Sequence, residues 1–214
     1  MTAPDVEFFW DPICPWAWIT SQWVREVADQ RDLDVDWRFI ALRIVNEDKD
    51  YNGAFADHAV GHDIGLALLR VAAAVRATEG RQAMGPLYLR FGSDIHVHQR
   101  RAELAAELDS GLSGYLGSAG VAEQHRAAAT DPSWDEVLRI DTDAALSRTG
   151  RDVGTPIITF NAGAGPRSFF GPVLNRVPRG EEAVVLWDAV WAVAGVDGFA
   201  ELKRSLRGGP QVAS

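Results

Sequence analysis

The sequence predicts an α/β fold interrupted by a long helical insertion, and three observations carry the prediction. A β-branched and aromatic run, Val6–Trp10, is followed by an amphipathic helix and then by a second such run, Val35–Leu42. From Ala54 to about Ser147 the chain is alanine-rich and nearly free of strand signals. Strand signals return at Gly154–Phe160 and Arg167–Phe170, and one more amphipathic helix follows them.

Each element has its own grounds. Asp11-Pro12 breaks the first run, after which Trp16, Ile19, Trp23, Val24 and Val27 recur at helical spacing opposite Gln22, Arg25, Glu26 and Asp29. This helix ends near Asp29–Asp32. In the second run Val35, Trp37 and Phe39 alternate with Asp36 and Arg38 before the chain turns fully apolar. A strand, a helix and a strand so closely spaced require parallel pairing through a right-handed crossover. Asn46–Gly53 is a polar loop. Ile64–Thr78, Met84–Phe91, Ala102–Ser110, Gly120–Ala129 and Trp134–Leu146 read as helices divided by Gly, Pro and Asp-Pro breaks. Asn161–Gly165 is a glycine-rich turn that makes a hairpin of the two late strands. The last helix, about Glu181–Ala194, turns Ala183, Trp187, Val190 and Trp191 to one face and sets Glu181 and Glu182 at its positive end. The expected division is a main domain of residues 1–45 and 150–207, a helical subdomain of 53–148 and a flexible tail of 208–214.

Composition bounds the function. With 214 residues, 47% hydrophobic and 24% charged, the chain is an ordinary globule with a sizeable core. The net charge is −9, and its basic residues are dispersed, which argues against nucleic acid or an anionic membrane surface as a partner. Met1–Asp5 leads straight into the first strand without an export leader, and no run reaches membrane-spanning length. One cysteine and no leader make a cytoplasmic location the expectation. Only Lys49 and Lys203 are lysines among 21 basic residues, a bias that fits a GC-rich genome such as an actinobacterial one.

The single cysteine, Cys14, falls at the start of the first helix. Amides of a helix's first turn have no intrahelical partner, and the summed peptide dipoles place about half a positive charge there. A thiolate is stabilised in such a place, and its pKa is expected below the free value of about 8.5. Pro15 suits a first turn, since its missing N–H would have gone unpaired. The alternative is a buried cysteine that acts as a small hydrophobe.

Strand, Cys14-Pro15-Trp16, helix resembles the active-site turn of the thioredoxin superfamily. The longer string Asp11-Pro12-Ile13-Cys14-Pro15-Trp16-Ala17-Trp18-Ile19-Thr20-Ser21 resembles the mycothiol-dependent nitroreductases of actinobacteria, which are DsbA-like. The resemblance implies an α/β, thioredoxin-like fold with an inserted all-helical subdomain. It extends to Val153-Gly154-Thr155-Pro156 and to Phe169–Ala183, so it spans nearly the whole chain. Cys14 is then the nucleophile of a thiol-dependent oxidoreductase, with Pro15, Trp16 and Ala17 in its turn. Thr155-Pro156 is the cis pair that faces the cysteine; the plain alternative is a trans proline at a strand start. By the same match His96, rather than His98, faces the thiol, and Asn46 contacts a bound thiol. Both residues also fit simple loop roles. The family pattern is Cys-Pro-Trp-Cys, and Ala17 replaces its second sulfur. A single cysteine cannot close on itself, so the cycle becomes monothiol, resolved by a small thiol, mycothiol by resemblance.

The expected partners are therefore that thiol as co-substrate and a small electrophilic or disulfide substrate, such as a nitro compound or a mixed disulfide, with no tightly bound cofactor. A homodimer stays open. His58 and His62 share a helix face, yet nothing completes a metal set around them. Two other classes remain: the kappa-class glutathione transferase and hydroxychromene-carboxylate isomerase group, which usually carries serine at the position of Cys14, and a non-catalytic thioredoxin-like binding protein.

Overall fold

The computed structural model describes residues 3–161, 165–204 and 208–212. Its sheet has four strands, β1 (Val6–Trp10), β2 (Val35–Phe39), β3 (Ile157–Phe160) and β4 (Arg167–Phe170), in the order β2-β1-β3-β4. β1 and β2 pair in parallel, Phe8 opposite Trp37, across the helix α1 (Pro15–Arg31). β3 runs antiparallel to both β1 and β4. Residues 162–164 of the expected glycine-rich turn lie outside the described residues.

β1 is buried on both faces, as its unbroken apolar run requires. Phe8 and Trp10 enter the main core on one side, and Phe9 enters a smaller cluster with Ile40, Ala145, Leu146 and Ile157 on the other. On the main side α1 meets the last helix, here named by its range Gly180–Ala194: Trp23 Nε1 donates to Ala183 O at 2.9 Å, and the Trp23 and Trp187 rings lie 5.2 Å apart.

Between Val45 and Ile157 every described element is helical. After the short α2 (Leu42–Val45) come α3 (Ala56–Glu79), α4 (Met84–Gly92), α5 (Arg101–Glu107), α6 (Ser113–Ser118), α7 (Glu123–Arg126) and α8 (Asp135–Thr149), which makes Gly180–Ala194 α9. Tyr88 of α4 stacks on Trp10 at 4.2 Å between ring centres and also meets Phe8 and Trp37, so insertion and sheet share one core.

The differences from expectation have local causes. β2 ends at Phe39, not Leu42, because Ala41 N donates to Thr142 Oγ1 and Leu42 N to Asp11 Oδ2, which turns the chain into α2. β3 starts at Ile157 because Pro156 has no N–H for the ladder. α6 was missed: its sequence, Ser-Gly-Tyr-Leu-Gly-Ser, is a poor helix former, and the fully buried Tyr115 and Leu116 hold it instead. Contrary to expectation, α3 is long and apolar enough to cross a membrane by length and composition, but that stretch is mostly buried and serves as the core helix of the insertion. Of the segment expected as a tail, Gln211 N donates to Asn175 O at 2.7 Å, and residues 213–214 lie outside the described residues.

Candidate active site

Cys14 is the N-cap of α1, with extended backbone (φ −80°, ψ 112°), so the amides of the first turn converge on its sulfur. Ala17 N donates to Cys14 Sγ at 3.4 Å. From the opposite side the thiol donates to Thr155 O at 3.6 Å. Thr155 is fixed in turn, since its Oγ1 donates to Phe9 O at 3.0 Å, and the Thr155–Pro156 peptide is cis. Gly171–Pro172, which sequence reading did not single out, is also cis, and Pro172 O accepts from Thr20 Oγ1 of α1.

The expected fall in the Cys14 pKa is corrected by this geometry. Cys14 is 7% exposed, and burial pushes its thiol up to about 12. The amides of Ala17 and Trp16 oppose that rise without cancelling it, while the Asp11 carboxyl adds to it. The helix terminus acts as expected; what it works against is the loss of water around the sulfur.

Asp11, three residues ahead of Cys14, went unrecognised in the sequence beyond its role as a strand breaker. It is fully buried, and Oδ1 accepts from Ile13 N at 3.0 Å while Oδ2 accepts from Leu42 N at 2.8 Å. Burial nevertheless raises its pKa from 3.8 to about 7. α3 passes directly over it at Gly65, where a Cβ would sit 2.6 Å from Asp11 Oδ1. A carboxyl with no basic partner, buried beside a cysteine turn, was the available signal.

His96 lies in a π-helical turn, Ser93–Val97, whose extra residue swings it inward while His98 stays exposed. Its Nε2–H donates to Pro12 O at 2.9 Å, two residues from Cys14, and its ring stacks on Trp18 at 5.9 Å. Burial lowers its pKa from 6.5 to about 4, so the ring is neutral at neutral pH. Pro15 and Trp16 are half-buried and Ala17 is fully buried. Asn46 spends its side-chain amide on α2, with Nδ2 donating to Leu42 O at 2.9 Å. His62 is buried with Nδ1 2.7 Å from Tyr51 Oη, and the exposed His58 stacks on Phe55 at 4.3 Å. Among the described residues no cluster of three or more His, Cys, Asp or Glu side chains could hold a metal. A cleft of about 320 Å³ opens along α1 beside Trp18 and Gln22, one and two turns from Cys14, closed opposite by Leu89, Val97 and Val177.

A family model described as Rv2466c-like, mycothiol-dependent nitroreductase Rv2466c, matches residues 13–204. The chain belongs to the Rv2466c-like family. A curated relative, the uncharacterized protein Rv2286c of Mycobacterium tuberculosis, is 29% identical over 201 residues, covering 93% of this chain and 81% of that one. Two solved structures share the fold. The cytosolic disulfide reductase DsbM of Pseudomonas aeruginosa superposes with a TM-score of 0.53 at 15% identity, over 87% of this chain and 98% of its own. A putative protein disulfide isomerase of Nitrosomonas europaea gives 0.52 at 13% identity, over 91% and 100%. The fold of this Rv2466c-like protein is thus the DsbA-like, thioredoxin-like one expected from the cysteine turn.

Proposed function

We propose that this Rv2466c-like protein is a cytoplasmic thiol-dependent oxidoreductase in which Cys14 runs a monothiol cycle with mycothiol. The observation that carries the reading is the placement of Cys14 Sγ between the Ala17 amide and the Thr155 carbonyl. An extended disulfide laid against Thr155 presents a sulfur to Cys14. The resting thiol is protonated, so attack begins with loss of its proton. The Cys14 sulfur then bonds to one substrate sulfur, the substrate S–S bond breaks, and the other sulfur leaves as a thiolate that takes up a proton. With Ala17 in place of a resolving cysteine, the mixed disulfide waits for an external thiolate. Mycothiol attacks it, leaves with the substrate half and returns Cys14 to the thiol. The family's name makes nitro compounds a second substrate class under this proposal.

Intact mass tests the cycle. Incubation with mycothiol disulfide should add one mycothiol to the wild type, and excess mycothiol should remove it. Ala17→Cys should instead close an internal disulfide under the same treatment and lose the adduct. The burial of Cys14 favours one competing reading, a non-catalytic thioredoxin-like binding protein, which a wild type with an unreactive Cys14 would make the better one. An active wild type that never takes up mycothiol would instead point to a transferase or isomerase site that binds its thiol without a covalent link.

A further inference from the structure

Arg101 opens α5 at an exposed position, and its guanidinium lies across Gly61 of α3. A Cβ built on Gly61 would fall 2.3 Å from Arg101 Nη2 and 3.4 Å from Ile13 Cγ1, so the guanidinium and the residue that precedes Cys14 flank the same point of α3. His62 and His96 both feel its positive charge, which places it between α3 and the π-helical turn, on the side where His96 holds Pro12.

Most other arginines among the described residues are engaged. Arg100 holds Glu103 and Asp94, Arg43 holds Asp63, Arg25 donates to Gly85 O, Arg126 donates to Val121 O, and Arg167 covers the Trp191 ring. Among the described residues only Arg101 and Arg204 have no carboxylate, carbonyl or aromatic partner, and Arg204 lies in the C-terminal segment. Of the carboxylates on the neighbouring segments, Asp63 pairs with Arg43, Glu103 with Arg100, Asp11 is buried on two amides, and no ion pair joins Arg101 to Asp57, one turn before Gly61. His62 and His96 are neutral at neutral pH. Near Ile13, the residue before Cys14, a molecule of net charge −9 therefore carries a guanidinium without an ion-pair partner among the described residues.

We propose that Arg101 is the specificity-determining cation of this site and that the disulfide or electrophile presented to Cys14 carries a carboxylate. A planar guanidinium offers a paired set of donors that matches a carboxylate and misses a neutral group. The proposal rests on the reading of Cys14 as the nucleophile, and it adds the charge class of what that nucleophile attacks.

Two aryl disulfides test it, dianionic dithiobis(nitrobenzoate) and neutral dithiodipyridine. In each, the Cys14 thiolate bonds to one sulfur and the released aryl thiolate or thione is followed by absorbance. Arg101→Gln should slow the reaction with the dianion about fivefold, the size expected for one solvent-accessible ion pair, and leave the neutral disulfide unchanged. The wild-type rate with the dianion should fall as salt rises, and the variant should lose most of that dependence. Arg101→Lys should recover part of the rate. Equal slowing of both disulfides, or of neither, would overturn the role of Arg101 while leaving Cys14 as the nucleophile. A wild type that releases chromophore from neither disulfide, matching Cys14→Ser, would remove the Cys14 reading and this proposal together.

Discussion

Replacing Asp11 by asparagine should change how the stability of this protein depends on pH. Asp11 is fully buried without a basic partner, and its pKa in the fold is about 7 against 3.8 for the ordinary side chain. Between those values the folded state keeps a proton that the unfolded chain has released, so stability falls as pH rises from about 4 to about 7 and is level above that. At about 1.4 kcal/mol for each pH unit the loss is on the order of 4 kcal/mol. Asparagine does not titrate. Its amide can accept from Ile13 N or Leu42 N but not from both, which subtracts a pH-independent cost of about 1–3 kcal/mol. Urea unfolding of both proteins at pH 4, 5.5, 7 and 8 isolates the Asp11 contribution, since other titrating groups cancel in the difference. The advantage of the wild type over Asp11→Asn should shrink steadily up to about pH 7 and then stay constant. A difference that is flat across the range would show that Asp11 is ionised throughout and that burial does not hold a proton on it.

Three further outcomes follow from the same neighbourhood. Gly65→Ala drives a methyl into Asp11 Oδ1, so it should cost about 1–3 kcal/mol in urea unfolding and alter the rate of Cys14 alkylation; an unchanged rate would separate the carboxyl from the thiol. Gly92→Ala places a Cβ 2.2 Å from the Trp18 ring, so it should move Trp18 off His96 and appear as a shift in tryptophan fluorescence with a similar loss of stability. His62 and His96, each lowered from 6.5 to about 4, accept protons later in the fold than in the unfolded chain, so their contribution, present above about pH 6.5, is lost as pH falls towards 4. His96→Gln, which can still donate to Pro12 O, should flatten that acid limb in a denaturation series; a limb as steep as the wild type's would mean that His96 is not held neutral.

The sequence by itself determined the order of strands and helices and the place of the cysteine, because those are local properties. The β-branched run of β1, the Asp11-Pro12 break and the helical spacing from Trp16 each act within a few residues, and the parallel pairing of β1 with β2 then follows from chain connectivity. The resemblance also singled out His96 and Thr155-Pro156; the structure buries His96 against Pro12 O and sets Thr155 O beside Cys14, which gives their placement and not their roles. Long-range contacts decided the rest. Leu42 left its strand because a carboxylate 31 residues earlier took its amide, and α6 formed because Tyr115 and Leu116 had a core to enter. The ionisation of the site belongs to the same class. A helix N-terminus can be read from a dozen residues, but the desolvation that outweighs it at Cys14, holds a proton on Asp11 and keeps His96 neutral comes from α3 and the π-helical turn closing over Pro12–Cys14. Burial depends on what the rest of the chain lays over a residue, and no local window of sequence contains that information.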